Sequence, residues 1–355
     1  MLPGPRFQIC SALLALLSPA LCAAADIPAS RPEQPKPFIA LLLPLNSPDF
    51  APAAGAVQLG CQAAMKFAGG GTGLQVLRTD AQPESILAEY DAAVQRGAGV
   101  VVGPMTRNGV AALAASGRVS VATLVLNTSE SNAPTPPQLY AFGLSVEAEA
   151  RTAARTAYSE RLRNAVVVQA ATPLAKRASR AFADEWFALG GRISDAQEFG
   201  PQTDFGVLRS HLSGAEAEVI FLAADAGQAR SVRPYLNNQI PVFATSLVHD
   251  GRADPLTNGD LNGIRFVDMP WLVAPDHPAV MVYPRAEKLP GDLQRFYALG
   301  IDACRIAGEL FLKHNRIILD GVTGRISLRG GNAFEREPAQ AVFRNGAGVA
   351  TEDQR

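Results

Sequence analysis

The chain of 355 residues has little of what chemistry at a protein site usually requires. Its four histidines, His211, His249, His277 and His314, are far apart, with no H-E-x-x-H and no Cys/His spacing suited to zinc. No metal site is expected, and each histidine reads as a surface or loop residue. There is no G-x-S-x-G elbow, and neither a Walker loop nor a dinucleotide fingerprint follows the first strand, where each would have to sit. The glycine cluster Gly69–Gly73 lies between a helix and a strand, which fits a helix stop better than a phosphate cradle. The acidic pairs Glu147/Glu149 and Glu216/Glu218 read as helix-start and solvated-loop residues, not as two carboxylates facing across a cleft. These absences predict a protein that is not an enzyme and needs no cofactor.

Charge of one sign is also missing. The 32 Lys and Arg are balanced by 33 Asp and Glu, interspersed, so no electrostatic footprint for nucleic acid or an anionic membrane surface exists. Cysteine is scarce, with four in the chain. Cys10 and Cys22 fall in the N-terminal segment, whereas Cys61 and Cys304 fall on apolar helix faces. The latter two read as buried thiols, with a single disulfide as the alternative, because sequence alone does not supply bridging geometry.

What is present points to an exported two-domain protein. Apolar residues make up 48% and charged residues 18%, enough to bury real cores, and the length exceeds what one core usually supports. In the first 25 residues Arg6 is the only charge, Phe7–Leu17 is apolar, Pro19 follows, and Ala23-Ala24-Ala25 precedes Asp26. That is a secretory signal with cleavage after Ala25, and it predicts a periplasmic protein. Lipidation at Cys22, giving an outer-membrane lipoprotein, is the second reading, because bulky Leu21 stands where a small residue is preferred. Residues 26–37 then form a proline-rich linker.

From Phe38 onward, strand-length apolar runs alternate with helical periods. Strands are predicted at Phe38–Leu45, Leu74–Thr79, Val100–Val102 and Val121–Leu126, with helices at Ala53–Ala68, Glu84–Arg96 and Arg107–Gly117 between them. After the break at Ala133–Pro137 and a short run at Leu139–Phe142 the alternation resumes. Helices are predicted at Ser145–Leu162, Ala175–Leu189 and Asp225–Leu236, and strands at Ala165–Gln169, Val219–Ala223 and Val242–Thr245. A strand-like run at Gly263–Met269, an irregular proline-containing stretch, a long helix at Asp292–His314 and a strand-rich tail complete the chain. The fold class is α/β, two lobes, each a mainly parallel sheet flanked by helices. The expected partition is 38–141 with 270–318 in the first lobe, 142–269 with 319–345 in the second, and 346–355 as a tail.

Open parallel sheets bind ligands at the carboxyl ends of their strands. Those positions hold Asn46, Ser47, Thr106, Asn127, Thr128 and Ser129 in the first lobe and Thr172, Asp225 and Ser246 in the second, small hydrogen-bonding residues suited to a polar ligand. They are also ordinary loop residues.

The order of elements over residues 38–345 resembles the type I periplasmic binding proteins, which commonly have "GP" after the third strand, here Gly103-Pro104, and a late Y-x-x-G-x-D-A helix, here Tyr297–Ala303. Within that class the run Phe142–Arg155 and the motif Asp268-Met269-Pro270-Trp271 are similar to the binding-protein-like domain of the outer-membrane lipoprotein activators of class A penicillin-binding proteins. The resemblance implies a protein that touches a peptidoglycan synthase and regulates it without catalysis. Fuller family members carry a helical-repeat domain ahead of this one, whereas here the linker leads directly into the sheet. The alternative is a solute-binding protein for a small polar ligand such as an amino acid or a muropeptide. Residue by residue the motifs also have structural readings, Trp271 plugging a crossing between lobes and Tyr297 and Ile301 packing a helix.

Overall fold

The computed structural model describes residues 4, 36–128, 135–328 and 331–351. The signal segment, most of the linker, Cys22 and Ser129 lie outside them.

The first lobe runs β1 (Phe38–Leu43), α1 (Ala51–Phe67), β2 (Gly73–Arg78), α2 (Pro83–Gln95), β3 (Ala98–Val102), α3 (Arg107–Ala115), β4 (Ala122–Val125) and β5 (Leu139–Ala141). All pairings are parallel, in the order β2-β1-β3-β4-β5. All six residues of β1 are buried, which its unbroken apolar run FIALLL requires of a central strand covered on both faces. Helices α2 and α3 cover one face through Ile86, Tyr90, Val110 and Leu113. The other face carries α1 and a helix from much later in the chain.

The second lobe begins with α4 (Val146–Ser159), then β6 (Asn164–Ala170), α5 (Pro173–Ala188), β7 (Arg192–Phe199), α6 (Phe205–Gly214), β8 (Val219–Ala223), α7 (Ala226–Val232), β9 (Val242–Ala244), α8 (Pro255–Asn258) and β10 (Arg265–Asp268). Helix α4 starts where Ser145 Oγ accepts from the Ala148 N–H at 3.2 Å, and it buries the stripe Ala150, Ala153, Ala154 and Ala157. Strand β7 and helix α6 have no counterpart in the sequence reading. The strand RISDAQEF is polar and sits at the sheet edge, where only one neighbour demands apolar contacts.

The chain then returns through α9 (Pro270–Val273), α10 (Pro278–Met281) and α11 (Gly291–Phe311), which lies against α1, and continues with β11 (Ile318–Gly321), β12 (Gly324–Leu328), β13 (Phe334–Glu337), β14 (Ala339–Arg344) and β15 (Ala347–Ala350). Strands β11 to β13 form an antiparallel sheet whose Ile326 and Phe334 join the first lobe's core, and Ala333 bridges to Ala141 of β5. Strands β14 and β15 pair antiparallel onto β10 and complete the order β15-β14-β10-β9-β8-β6-β7. Thus residues 318–337 pack with the first lobe, although 319–345 were expected in the second, and the expected tail contributes a strand. Phe334 supplies the physical reason, since its ring meets Phe142 and Tyr140 on the first lobe.

The cysteine expectation needs correction, because Cys61 of α1 and Cys304 of α11 are bridged, with Cα atoms 5.2 Å apart. Glycine makes this possible. A Cβ on Gly60 would lie 1.9 Å from Tyr297 O, and one on Gly300 2.1 Å from Val57 O, so the two helix backbones touch and bring the cysteines into bridging range.

Candidate functional site

The strand-end residues sit where expected along the chain, but their side chains are largely occupied. Thr106, Thr172 and Asp225 are the N-caps of α3, α5 and α7: Thr106 Oγ1 accepts from Gly109 N–H at 3.2 Å and Thr172 Oγ1 from Ala175 N–H at 3.3 Å. Asp225 and Gln228 form a reciprocal capping box. Asn46 accepts from Arg78 Nε at 3.3 Å, and the Ser47 carbonyl accepts from the N–H groups of Phe50 and Ala51. Asn127 donates to Met105 O at 3.1 Å and, with Thr128, lines a cavity of about 190 Å³ beside Val110 and Leu139. These groups set helix starts and loops, which is why small hydrogen-bonding residues recur there.

A different set of residues joins the lobes, and sequence reasoning missed it. Asp268, at the end of β10, is fully buried, yet accepts from Arg295 of α11 through Nε at 3.2 Å and Nη2 at 2.6 Å, from His249 Nδ1 at 2.9 Å and from the Met269 N–H at 2.8 Å. Burial alone would raise its pKa. Arg295 and the His249 hydrogen bond outweigh burial and hold it below the ordinary carboxylate value. Arg295 also donates to the carbonyls of Ser246 at 3.1 Å and His249 at 2.7 Å. A second buried pair is distant in sequence but tied to the same Ser246 loop: Arg336 of β13 donates from Nη2 to Glu149 Oε1 at 2.8 Å and from Nη1 to Thr323 O at 3.1 Å. The Ser246 N–H takes the other Glu149 oxygen at 3.1 Å. Glu147, two residues earlier on α4, reaches Arg177 at 2.8 Å and Arg107 of the first lobe at 3.5 Å.

Two sequence readings change as a result. His249 is not a surface residue; it is buried against Phe266 and Phe343 and bonded to Asp268. Glu149 is more than a helix-start carboxylate, being buried in an ion pair between lobes. No spacing announced either, because their partners are up to 187 residues away. The reading of Trp271 stands: it is buried beside the crossing, its Nε1 donates to Gln294 at 2.8 Å, and Arg285 stacks on its ring.

Apolar surface gathers elsewhere. At the amino-terminal end of the first lobe's sheet, remote along the strands from the loops above, a cavity of about 610 Å³ opens among α1, α10, α11 and β11. Phe67, Val282, Tyr283 and Leu319 line it, and Phe67 and Val282 are exposed. Among the described residues no group of His, Cys, Asp and Glu could hold a metal ion, and no helix is long and apolar enough to cross a membrane.

Two parallel-sheet lobes joined by repeated crossings define a periplasmic binding protein-like α/β protein. Solved structures share this fold. One titled "putative branched-chain amino acid ABC transporter", from Chromobacterium violaceum, is 36% identical with a TM-score of 0.75 and covers 87% of this chain and 100% of its own. The LpoA C-domain from Haemophilus influenzae, titled a regulator of PBP1A, is 24% identical with a TM-score of 0.73, covering 88% and 99%. Residues 32–346 match the family model described as "LppC putative lipoprotein", and the chain belongs to that family. Curated relatives named penicillin-binding protein activator LpoA include one from Edwardsiella piscicida, 26% identical over 326 residues, covering 77% of this chain and 45% of the relative. Another, from Glaesserella parasuis, is 26% identical over 284 residues, covering 77% and 48%. The chain therefore spans about half the length of these relatives. The family resemblance read from Phe142–Arg155 and Asp268–Trp271 holds.

Proposed function

We propose that this chain is a non-catalytic envelope protein that regulates peptidoglycan synthesis by contact with a class A penicillin-binding protein. The observation that carries the reading is family membership across both lobes, with curated relatives named as activators of such enzymes. The geometry supports it. Of the strand-end residues that could greet a solute, Thr106, Thr172 and Asp225 are engaged as caps, and Asn46 and Asn127 are hydrogen-bonded to Arg78 and to the Met105 carbonyl. On this reading the protein is exported to the periplasm, and Cys22 is the candidate anchor, to be checked by mass spectrometry of the processed N-terminus.

The test adds purified protein to a class A synthase of the same cell and measures glycan polymerisation and peptide cross-linking. A rise in either rate, with a complex detectable by light scattering or pull-down, is expected. Unchanged rates and no complex would sink the proposal.

A second reading, a solute-binding protein for a small polar ligand, is favoured by the 36% identity to a structure titled as a branched-chain amino acid transporter, whose whole length the match covers. A ligand that binds only the folded state adds about 2.7 kcal/mol of stability at 100 times its Kd. A thermal-shift panel of amino acids and muropeptides therefore discriminates: a specific upward shift supports this reading, and a flat panel supports the first.

A further inference from the structure

We propose that the cavity at the amino-terminal end of the first lobe's sheet binds a small molecule with an apolar body and a single carboxylate, such as a medium-chain fatty acid. The site is separate from the strand-end loops and independent of contact with a synthase. Three observations on different elements carry it.

The first is space that the sequence keeps open. At about 610 Å³ the cavity falls within the roughly 300–1,000 Å³ of small-molecule pockets. Gly308 of α11 lines it. A glycine inside a helix is destabilising relative to alanine, and for Gly60 and Gly300 the touching backbones supply the reason. A Cβ on Gly308 would meet no atom within 4 Å, so packing does not demand glycine there; the missing side chain enlarges the cavity instead. The second observation is Tyr283, which lines the cavity while only 6% exposed, its ring 5.3 Å from that of Phe67. Its hydroxyl has no hydrogen-bond partner among the described residues, although a buried tyrosine hydroxyl ordinarily finds one. The third is Arg305, one turn before Gly308 on the same wall. Asp302 holds it there: this buried carboxylate accepts from the N–H groups of Val322 at 3.2 Å and Thr323 at 2.8 Å, from Thr323 Oγ1 at 2.7 Å and from Arg305 Nη1 at 3.0 Å. That is the only hydrogen bond of the Arg305 side chain among the described residues, so its remaining N–H groups are left for a ligand.

Together these groups define the ligand. Ile39, Met65 and Leu319 form apolar walls, and the exposed Phe67 and Val282 at the rim gain from being covered by an alkyl chain or ring. The Tyr283 hydroxyl and the Arg305 guanidinium are both donors, which a carboxylate accepts and an ammonium group cannot. Two acidic residues, Glu309 and Asp320, also line the cavity, but Glu309 is bonded to His314 at 2.6 Å and Asp320 lies 3.7 Å from His277. Their presence disfavours a second negative charge on the ligand. The late Y-x-x-G-x-D-A helix thereby acquires a role beyond packing, since its Asp302 sets the arginine one turn further on.

The experiment is calorimetric titration of the full processed protein with decanoate, below the concentration at which it forms micelles, and with decanol and decylamine, which carry the same body on a neutral or a cationic head. Saturable binding of one decanoate per chain is expected, with both other compounds weaker by about tenfold or more, the worth of hydrogen bonds to a charged group. Gly308→Leu puts a good helix former where a Cβ meets no atom, and is expected to abolish binding while thermal unfolding is unchanged or raised. Arg305→Met and Tyr283→Phe should each weaken decanoate by about tenfold and leave decanol as it was, a selectivity that a merely structural role would not produce. The proposal is overturned by no saturable binding, by equal affinity for the three head groups, by full binding in folded Gly308→Leu, or by a Tyr283→Phe protein that binds decanoate as the wild type does. Should Arg305→Met fail to fold, Tyr283→Phe still decides, because it keeps the ring and forfeits no hydrogen bond in the fold. Synthase stimulation is measured without decanoate, so this proposal and the synthase reading fail separately.

Discussion

Replacing Cys61 and Cys304 by alanine removes a cross-link between residues 243 apart in sequence. In the chain-entropy treatment, closing a loop of that length takes about 18 cal/mol/K from the unfolded chain, or ~5.5 kcal/mol at 25 °C. Measured disulfides fall at or below such values, commonly at about 2–4 kcal/mol, so a loss of ~3–5 kcal/mol is expected. That is a large share of the roughly 5–15 kcal/mol by which domains are stable. The native state should change little, because α1 and α11 are already held together by the Gly60 and Gly300 backbone contacts and by the shared core around Val57, Ile301 and Ala64. Alanine is the right replacement, since both sulfurs are buried and serine would add a hydroxyl without a partner. The assay is urea unfolding of the wild type, the wild type in reductant and the double alanine variant, each followed by circular dichroism and by tryptophan fluorescence. Trp186 reports the second lobe and Trp271 the crossing. Reductant and variant should shift the midpoint alike, and the first lobe should unfold earlier than the second. A midpoint shift worth less than about 1 kcal/mol, converted through the measured slope, would refute the reasoning, because the unfolded chain would then not be constrained by the bridge.

Three further outcomes follow from single sites. Gly60→Ala places a methyl against the Tyr297 carbonyl and is expected to destabilise by about 3 kcal/mol, measurable in the same urea experiment, with the disulfide yield on oxidative refolding falling alongside. Thr172→Ala removes the cap of α5 and should cost about 1 kcal/mol while leaving any stimulation of a synthase intact; lost stimulation with unchanged stability would instead assign the hydroxyl a contact role. Asp268 has a depressed pKa in the fold, so its contribution to stability is complete above the ordinary carboxylate value of 3.8 and is lost as pH falls through the lower folded value. Wild-type stability should therefore drop more steeply below pH 4 than that of Asp268→Asn, which is destabilised throughout. Parallel acid limbs in urea titrations of the two proteins would contradict this.

How far the sequence reaches can be argued from two strands and two charges. Strand β1 is legible because a central parallel strand must be apolar on both faces, and FIALLL has no other reading. Strand β7 is not, because its edge position relaxes that demand and leaves RISDAQEF looking like a loop. The same logic separates the candidate sites. Strand-end residues follow from the α/β alternation, which fixes where loops fall, but it does not say whether a threonine there faces a ligand or caps its own helix. In this chain Thr106 and Thr172 do the latter. Glu149 and Arg295 each occupy a helix, where either charge is ordinary, and only the folded chain puts Arg336 and Asp268 beside them.

The buried charges also bear on why such a protein would retain them. A buried ion pair seldom adds stability over apolar side chains of the same volume, whereas removing one partner costs about 3–5 kcal/mol. Two such pairs between lobes therefore act less as a source of stability than as a penalty against any arrangement in which they are apart. An apolar interface would tolerate sliding or rotation with gradual loss of contact, but Arg295, which donates to one carboxylate and two carbonyls at once, admits a single geometry.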